Sequence, residues 1–326
     1  MIDTMLAACC DGYGGPEVMT VREIARPQID DDELLVRVMA GTVNRTDCGI
    51  RSASPVLIRL MYGARRPRRR VLGTDFAGVV EAVGSAVSGF AVGDRIMGFD
   101  DSRLGGHGQY LAISAKRGIT KIPDGVSFAD AVASVEGSHY ALGYINRSGI
   151  EAGRRALVHG ATGAIGTAAV QLLAARGVRV TAVGDTARLD LMAGLGADRV
   201  IDYTAEDFTA HGQEYEFVFD SVGKTTFAEC KPLVADGGWF MGTEFGPRFQ
   251  NVWLPWTTRF SPKRVAFPLP RYTRGHVKLV AELLERGEFR PVIDRHYPLT
   301  DIVDAFRYVE SGTKTGNVVI DLDGER

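Results

Sequence analysis

The chain has 326 residues, enough for about two domains. Apolar residues make up 45% and charged residues 24%, an ordinary globular balance. The formal net charge of −2 gives no electrostatic case for nucleic acid or an anionic membrane as the main partner.

No apolar run is long enough to span a bilayer, and Met1-Ile2-Asp3-Thr4 lacks the basic and apolar regions of a secretory signal. The cysteines, Cys9, Cys10, Cys48 and Cys230, form neither a CxxC pair nor a metal-like cluster. A reduced, cytoplasmic setting is expected, with each cysteine a small buried apolar residue.

In chain order, the first third reads as β-rich. Short apolar or alternating runs recur at Val18–Ile24, Leu34–Val43, Gly78–Val83, Arg95–Phe99 and Gln109–Ile113, separated by Gly, Pro and Asp. They predict a mostly antiparallel, barrel-like domain. Within it, Leu57–Arg70 joins an apolar stretch to Arg65, Arg66, Pro67, Arg68, Arg69 and Arg70. Two readings are open: a solvated basic loop, or a rim that attracts an anionic substrate or cofactor phosphate.

From about Gly153 the rhythm changes to strand, helix, strand, helix. Arg155–His159 is a predicted strand. Ile165–Arg176 is a predicted helix, with Ile165, Ala168, Ala169, Leu172 and Leu173 at helical spacing and Gly177 closing it. Val178–Val183, Arg199–Ile201, Glu216–Phe219 and Trp239–Met241 continue the strands, with a helix ending near Leu195. This alternation predicts a parallel sheet with helices on both faces. The last part predicts a short strand after Arg290, a helix from Asp301 to Glu310 and a strand Asn317–Leu322.

The strongest local feature is the passage from strand to helix through Gly160, Ala161, Thr162, Gly163, Ala164, Ile165 and Gly166. A dinucleotide pyrophosphate needs such an arrangement. Gly163 lets the backbone approach phosphate oxygens, the helix N-terminus presents free N–H groups, and Gly166 allows close helix–strand packing. Ala161 occupies the first glycine position of the usual pattern, and a turn serving only packing is the alternative.

Specificity for the cofactor's 2′ group belongs just after the second strand, at Asp185, Thr186 and Arg188. Asp185 stands where a carboxylate takes the ribose hydroxyls of NAD, whereas Arg188 can hold a 2′-phosphate. A like-charge contact at about 4 Å costs roughly 1 kcal/mol in water and about 4 at an effective dielectric of 20. An arginine offsets a similar amount, so electrostatics alone leaves the choice open.

His159–Gln171 resembles the nucleotide loop of the zinc-free quinone oxidoreductases and zeta-crystallins, within the medium-chain dehydrogenase/reductase superfamily. Tyr13–Val18, Thr42–Asp47, Leu72–Gly84, Val92–Arg95, Leu195–Tyr203, Phe219–Gly223 and Thr315–Ile320 fit the same family in order. The resemblance implies an α/β architecture. A GroES-like, β-rich catalytic domain spans residues 1–126 and is completed by 271–326. A Rossmann domain with a doubly wound parallel sheet spans 127–270, and the active site lies in the cleft.

The resemblance also implies NADP(H), with NAD(H) the alternative, through a basic residue at Arg188 and a tyrosine at Tyr203. It places Ser221, Val222 and Gly223 near the adenine ribose, and Gly316 and Asn317 in a segment that closes over the cofactor. It further implies a homodimer.

A catalytic zinc needs about three Cys, His or carboxylate ligands with a fourth position open. Zinc alcohol dehydrogenases carry Cys where this chain has Asn44, and Gly-His-Glu where it has Gly73, Thr74 and Asp75. No zinc or other metal is therefore expected. Without a Lewis acid, hydride delivery to a conjugated acceptor is easier than alcohol oxidation.

Asn44 can orient the cofactor through its amide, or cap a turn. Asp47 can support it, or cap a helix. Tyr62, His139 and Tyr140 are candidate proton donors, with structural packing the alternative for each. Trp253, Trp256 and Phe260 either line the cleft or form ordinary core.

The function expected is reduction of a quinone or α,β-unsaturated carbonyl. The alternatives are an enoyl-thioester reductase and a nucleotide-binding protein without turnover. A small-molecule carbonyl or quinone is the expected partner, with no nucleic acid and no membrane.

Overall fold

The computed structural model describes residues 3–56, 58–268 and 274–322. They fall into two units. One takes the chain up to Glu136, residues 274–287, and the stretch from Pro291; the other takes Gly137 to 268 with Glu288–Arg290.

In the first unit the strand Glu33–Val43 is the spine. One edge pairs antiparallel with Asp75–Val83. The other edge takes Tyr110–Ser114 along its first half and Asn317–Asp321 along its last residues. Beyond Asp75–Val83 lie Arg95–Phe99 and Gly118–Lys121, both antiparallel. Ile293–Pro298 extends the far side as a parallel strand. The β-rich, mostly antiparallel unit expected from the punctuated runs is what forms.

Alternation explains its core. Leu34, Val36 and Val38 of the spine share a buried cluster with Phe76, Val80, Ile96 and Ile113, and with Phe306 and Val309 of the helix Ile302–Ser311. Each such side chain contributes about 1.5–3 kcal/mol on burial.

A hairpin, Thr4–Cys10 with Met19–Ala25, carries no strand signal over its first arm. From Ala7 to Cys10 both faces of that arm are buried, while Thr4 and Leu6 are exposed. Met5, Ala7 and Cys9 form one small cluster, while Ala8 and Cys10 join the main core. A strand covered on both faces has no polar alternation to read, and Ala is a weak strand former.

The second unit has one six-stranded parallel sheet. Its order is Arg199–Asp202, Arg179–Gly184, Arg155–His159, Tyr215–Asp220, Val234–Gly242 and Arg264–Ala266. Counted along the chain this is 3-2-1-4-5-6, the doubly wound Rossmann order, whose switch point lies beside Arg155–His159. The helix Ala164–Ala175 is buried continuously from Gly166 to Leu173. One apolar face was the expectation; Gly166, Thr167, Val170 and Gln171, off that face, are buried as well.

All described cysteines are free and buried. Burial pushes the Cys10 thiol up to about 11 and the Cys48 and Cys230 thiols up to about 12, so they stay protonated. Among the described residues no helix is long and apolar enough to cross a membrane. The core reading of Trp253, Trp256 and Phe260 is overturned: they are 48%, 81% and 92% exposed. They follow or lie on the short helix Gln250–Thr257, which turns these rings outward.

Candidate active site

In the second unit, the chain leaves Arg155–His159 through Gly160, whose φ of +75° suits glycine. The amides of Gly160 and Ala161 both donate to the Val183 carbonyl, at 3.2 and 3.1 Å. Gly163 then caps Ala164–Ala175 with no side chain to accept from the first-turn amides. Those amides are left to an external acceptor, and the helix dipole favours an anion there.

The glycines have different reasons. A Cβ on Gly166 would lie 2.1 Å from the Gly160 carbonyl oxygen, so Gly166 is fixed by packing. A Cβ on Gly163 would meet only that same oxygen, at 3.8 Å, which is open space. Nothing within the protein demands glycine at 163, and the open space above it fits a phosphate approaching the backbone. Gly160, which precedes the first position of the usual pattern, makes the turn.

Three further segments follow the strand ends. Asp185 and Arg188 form an ion pair at 2.6 Å, and the other Asp185 oxygen, Oδ1, is buried without a partner. The opposing charges read from sequence therefore neutralise one another. Thr186 Oγ1 is hydrogen-bonded to Asp202 and, at 3.0 Å, to Thr204. Tyr203 donates its backbone N–H to the Gly184 carbonyl at 3.0 Å while its side chain is 53% exposed.

The loop at Ser221, Val222 and Gly223 is organised by Asp220, which sequence reasoning missed. Its carboxylate accepts from the amides of Val222, Gly223 and Thr225, and from the Thr225 hydroxyl. It lies 3.0 Å from His159 Nδ1. Burial acts to raise the Asp220 pKa, but the His159 and Thr225 bonds outweigh it and leave the carboxyl below its ordinary value. Ser221 Oγ donates back to the His159 and Gly160 carbonyls at 2.9 and 3.0 Å. The signal available in the sequence was an acidic residue ending an apolar strand.

His139 and Tyr140 also belong to this unit. They lie on the helix Glu136–Ser148 with rings edge to face, 5.6 Å apart, and His139 is buried.

In the first unit, Asn44 and Asp47 come together at the start of the helix Arg45–Ser52. Asn44 Oδ1 accepts from the Asp47 amide at 2.9 Å, and Asp47 Oδ2 accepts from the Asn44 amide at 3.3 Å, a reciprocal capping box. Asn44 Nδ2 donates to Thr74 Oγ1 at 2.8 Å. The Thr42 amide and hydroxyl donate to Asp75 at 3.0 and 2.7 Å. His107 Nε2 donates to the Thr42 carbonyl at 2.7 Å. Thr46 Oγ1 donates to Glu136 at 3.3 Å.

This polar knot is buried. Burial pushes Asp75 up to about 7, against the two Thr42 bonds, and pushes Glu136 upward, with Asp75 adding repulsion. Asp47 is raised well above the usual carboxylate range by burial and by Asp75 and Glu136. Burial lowers His107 to about 4 and also lowers the Lys314 ammonium. Asp47 Oδ1 and His107 Nδ1 are buried without partners. Thr42, Asp75, His107, Glu136 and Lys314 were not among the expected site residues. Their trace in the sequence is polar residues beside glycines in otherwise apolar runs.

Tyr62 closes the helix Ile58–Tyr62 and donates to the Asp101 carbonyl at 3.0 Å; burial raises its phenol. Gly316 has a φ of +66°, and a Cβ there would lie 2.1 Å from the Val292 carbonyl oxygen. Asn317 donates to that oxygen from both backbone and side chain, at 2.8 and 3.0 Å. These two residues thus shape the entry to the strand Asn317–Asp321.

Residues 30–124 match the alcohol dehydrogenase GroES-like domain, and residues 195–320 match a family described as zinc-binding dehydrogenase. The chain is 31% identical over 323 residues to 2-methylene-furan-3-one reductase of Solanum lycopersicum, covering 94% of this chain and 76% of that one. It is 29% identical over 323 residues to the chloroplastic NADPH-dependent alkenal/one oxidoreductase of Arabidopsis thaliana, covering 94% and 77%. The solved quinone oxidoreductase of Coxiella burnetii superposes with a TM-score of 0.88 at 23% identity, covering 98% and 99%. The chain belongs to the medium-chain dehydrogenase/reductase superfamily, alongside the quinone oxidoreductases and alkenal/one oxidoreductases.

Proposed function

We propose that this chain is an NADPH-dependent oxidoreductase that reduces quinones or α,β-unsaturated carbonyls without a metal. The observation that carries the reading is the strand–turn–helix at Gly160–Gly166, where an uncapped helix N-terminus faces the open space over Gly163. When bound, NADPH supplies a hydride.

The chain's own residues bind and orient. The amides of Thr162, Ala164 and Ile165 take the pyrophosphate beside Gly163, whose own amide donates to the Gly160 carbonyl at 3.2 Å. Arg188, Thr186 and Tyr203 take the 2′-phosphate, with the Asp185 charge already matched by Arg188. Ser221, Val222 and Gly223 flank the adenine ribose. NAD(H) is the weaker alternative, served by the unpartnered Asp185 oxygen. The NADPH preference is also supported by the name of the Arabidopsis relative.

In the first unit Asn44 holds the Thr74 hydroxyl as its donor, which leaves the Thr74 proton available to an acceptor oxygen. Burial raises the pKa values of Asp47, Asp75 and Glu136, which lessens the negative charge they carry. Their negative charge then opposes less strongly an oxyanion forming as hydride arrives. Tyr62, His139 and Tyr140 remain the candidate proton donors, and Gly316 and Asn317 the segment closing on the cofactor.

Metal independence is supported by the donor set. Asn44 and Thr74 stand at ligand positions of the zinc enzymes, and among the described residues no group of three His, Cys, Asp or Glu could hold a metal. A homodimer in a reducing compartment belongs to the same proposal, joined along the sheet edge at Arg264–Ala266.

The test is a turnover screen with NADPH and NADH against quinones, enones, enoyl thioesters and simple alcohols, with metal analysis of the purified protein. Saturable NADPH oxidation with quinones or enones is expected. Stoichiometric zinc with alcohol oxidation, or nucleotide binding with no turnover, would overturn it.

A further inference from the structure

One imidazole gathers several of the segments that the reductase reading gives to the cofactor, and that reading leaves it without a role. His159 ends the strand Arg155–His159 and stands next to the turn at Gly160. The strand Tyr215–Asp220 runs parallel beside it, with Asp220 in register with His159. In a doubly wound sheet a dinucleotide lies across these strand ends.

Asp220 is buried, and a buried carboxylate must fill its lone pairs with donors. Its Oδ1 accepts from the Val222 and Gly223 amides at 3.1 and 2.9 Å, and from His159 Nδ1 at 3.0 Å. Its Oδ2 accepts from the Thr225 amide and hydroxyl at 2.8 and 2.7 Å. The Val222, Gly223 and Thr225 donors belong to the loop that Asp220 itself begins, so they move with it. The His159 donor comes from the neighbouring strand. Its charge-assisted bond ties the carboxylate, and the loop folded around it, to the strand that feeds the phosphate turn.

The same loop is braced on that turn at two further points. Ser221 Oγ donates to the His159 and Gly160 carbonyls at 2.9 and 3.0 Å. A Cβ on Gly160 would lie 2.6 Å from Val222 Cγ1, so Val222 packs where a side chain at 160 would be. The His159 ring also stacks on Phe208, with centroids 4.9 Å apart and planes 14° from parallel. Phe208 lies beyond Tyr203 in the segment after the strand Arg199–Asp202. The segments after the first, third and fourth strands of the sheet thus meet at one ring.

We propose that His159 is a positioning residue: through Asp220 it holds Ser221–Gly223 in the shape that grips the adenosine half of the cofactor. The nicotinamide half and the hydride step do not depend on it. That the ligand is NADPH rests on the reductase reading; the brace itself does not. A buried polar pair adds little net stability over a well-packed apolar one, so the value of this pair lies in the geometry it imposes.

The experiment separates the ring from the bond. His159→Asn puts its Nδ2 where Nδ1 stood, keeping the donor to Asp220 without the ring. His159→Phe keeps a ring against Phe208 and loses the donor. Asp220→Asn keeps the shape of the acceptor and loses its charge, and supplies the loss should His159→Phe not fold. Quinone turnover is measured with NADPH and with reduced nicotinamide mononucleotide, which lacks the adenosine half. In His159→Phe and Asp220→Asn the KM for NADPH is expected to rise about ten-fold or more. Their kcat, and their KM for the mononucleotide, should stay within about two-fold of the unmodified protein, and His159→Asn should restore the KM for NADPH to within about three-fold.

Calorimetry with 2′-phospho-adenosine diphosphoribose, which lacks the nicotinamide, reads the same grip without chemistry. Its affinity should fall about ten-fold in His159→Phe and Asp220→Asn and hold in His159→Asn. An unchanged KM for NADPH in the first two variants overturns the proposal. So do equal losses with NADPH and the mononucleotide, the mark of a merely structural role, and a failure of His159→Asn to restore binding. If no acceptor turns over but the diphosphoribose binds with this pattern, the reductase reading fails and the positioning role stands. If quinones turn over and the pattern is absent, the positioning role alone fails.

Discussion

Gly163 and Gly166 stand three residues apart and separate folding from binding. At Gly163 the backbone has a φ of −79°, which any residue adopts, and the space for a Cβ is open. Gly163→Ala should therefore leave stability within about 0.5 kcal/mol of the unmodified protein. The added methyl occupies the phosphate's approach, so NADPH affinity should fall ten-fold or more. Chemical denaturation and a fluorescence titration check the two halves. A fall in stability with unchanged affinity would show that the loop serves packing alone. Asp75 permits an equally direct test. Its carboxyl titrates at about 7 when folded, against an ordinary value of 3.8. Between those values the folded protein keeps a proton that the unfolded chain releases, so stability is lost as pH rises through that window. Asn at 75 can accept from the Thr42 amide and donate to the Thr42 hydroxyl, with no charge to bury. Asp75→Asn should gain on the unmodified protein by roughly 4 kcal/mol between pH 4 and pH 8, read from denaturation at each pH. A gap that does not grow with pH would mean that Asp75 is not held protonated.

The start of the helix Arg45–Ser52 joins two jobs in Asn44. Its Oδ1 caps the helix, and its Nδ2 fixes the Thr74 hydroxyl. Asn44→Ala removes both, and loss of the cap should cost about 1 kcal/mol of stability. Asn44→Asp keeps a capping oxygen but replaces the donor to Thr74 with an acceptor. It should retain most of the stability while kcat for a quinone or enone falls at least ten-fold. Parallel losses in stability and kcat across both variants would reduce Asn44 to a cap. At this scale the sequence was uneven in what it disclosed. Apolar runs bounded by Gly or Asp stood out: Arg155–His159, between Gly153 and Gly160, and Arg95–Phe99, between Asp94 and Asp100, form over the residues the pattern marked. Thr4–Cys10 did not, because Ala7–Cys10 is covered on both faces and leaves no alternation there. The helices Phe128–Ala133, Glu136–Ser148 and Arg274–Glu285 also passed unmarked. The second of these begins at Glu136, which is buried and polar where a hydrophobic pattern offers nothing to follow.

For the whole molecule, the nucleotide half of the candidate site was the legible half. Its chemistry resides in backbone geometry at the ends of consecutive parallel strands, so spacing and glycine alone report it. The polar knot of the first unit was opaque for the opposite reason. Thr42, Thr74, His107 and Glu136 are far apart in sequence and meet only because the spine strand, the segment after Gly73, the loop at His107 and the start of the helix Glu136–Ser148 fold together. The same distinction bears on cofactor choice, where one ion pair decides an effect measurable on the entire fold. Ligand that binds only the folded state stabilises it by RT ln(1 + [L]/Kd), about 2.7 kcal/mol at a hundred-fold excess over Kd. At equal concentrations NADPH should therefore raise the melting temperature more than NADH, and a chelator should change neither shift. Arg188→Ala leaves the Asp185 carboxylate without its counter-charge. That variant should lose most of the NADPH shift and keep or increase the NADH shift. If instead both shifts fell together, the pair would be serving the local fold rather than choosing between the two nucleotides, and the preference for NADPH would have to arise elsewhere along the second and third strands.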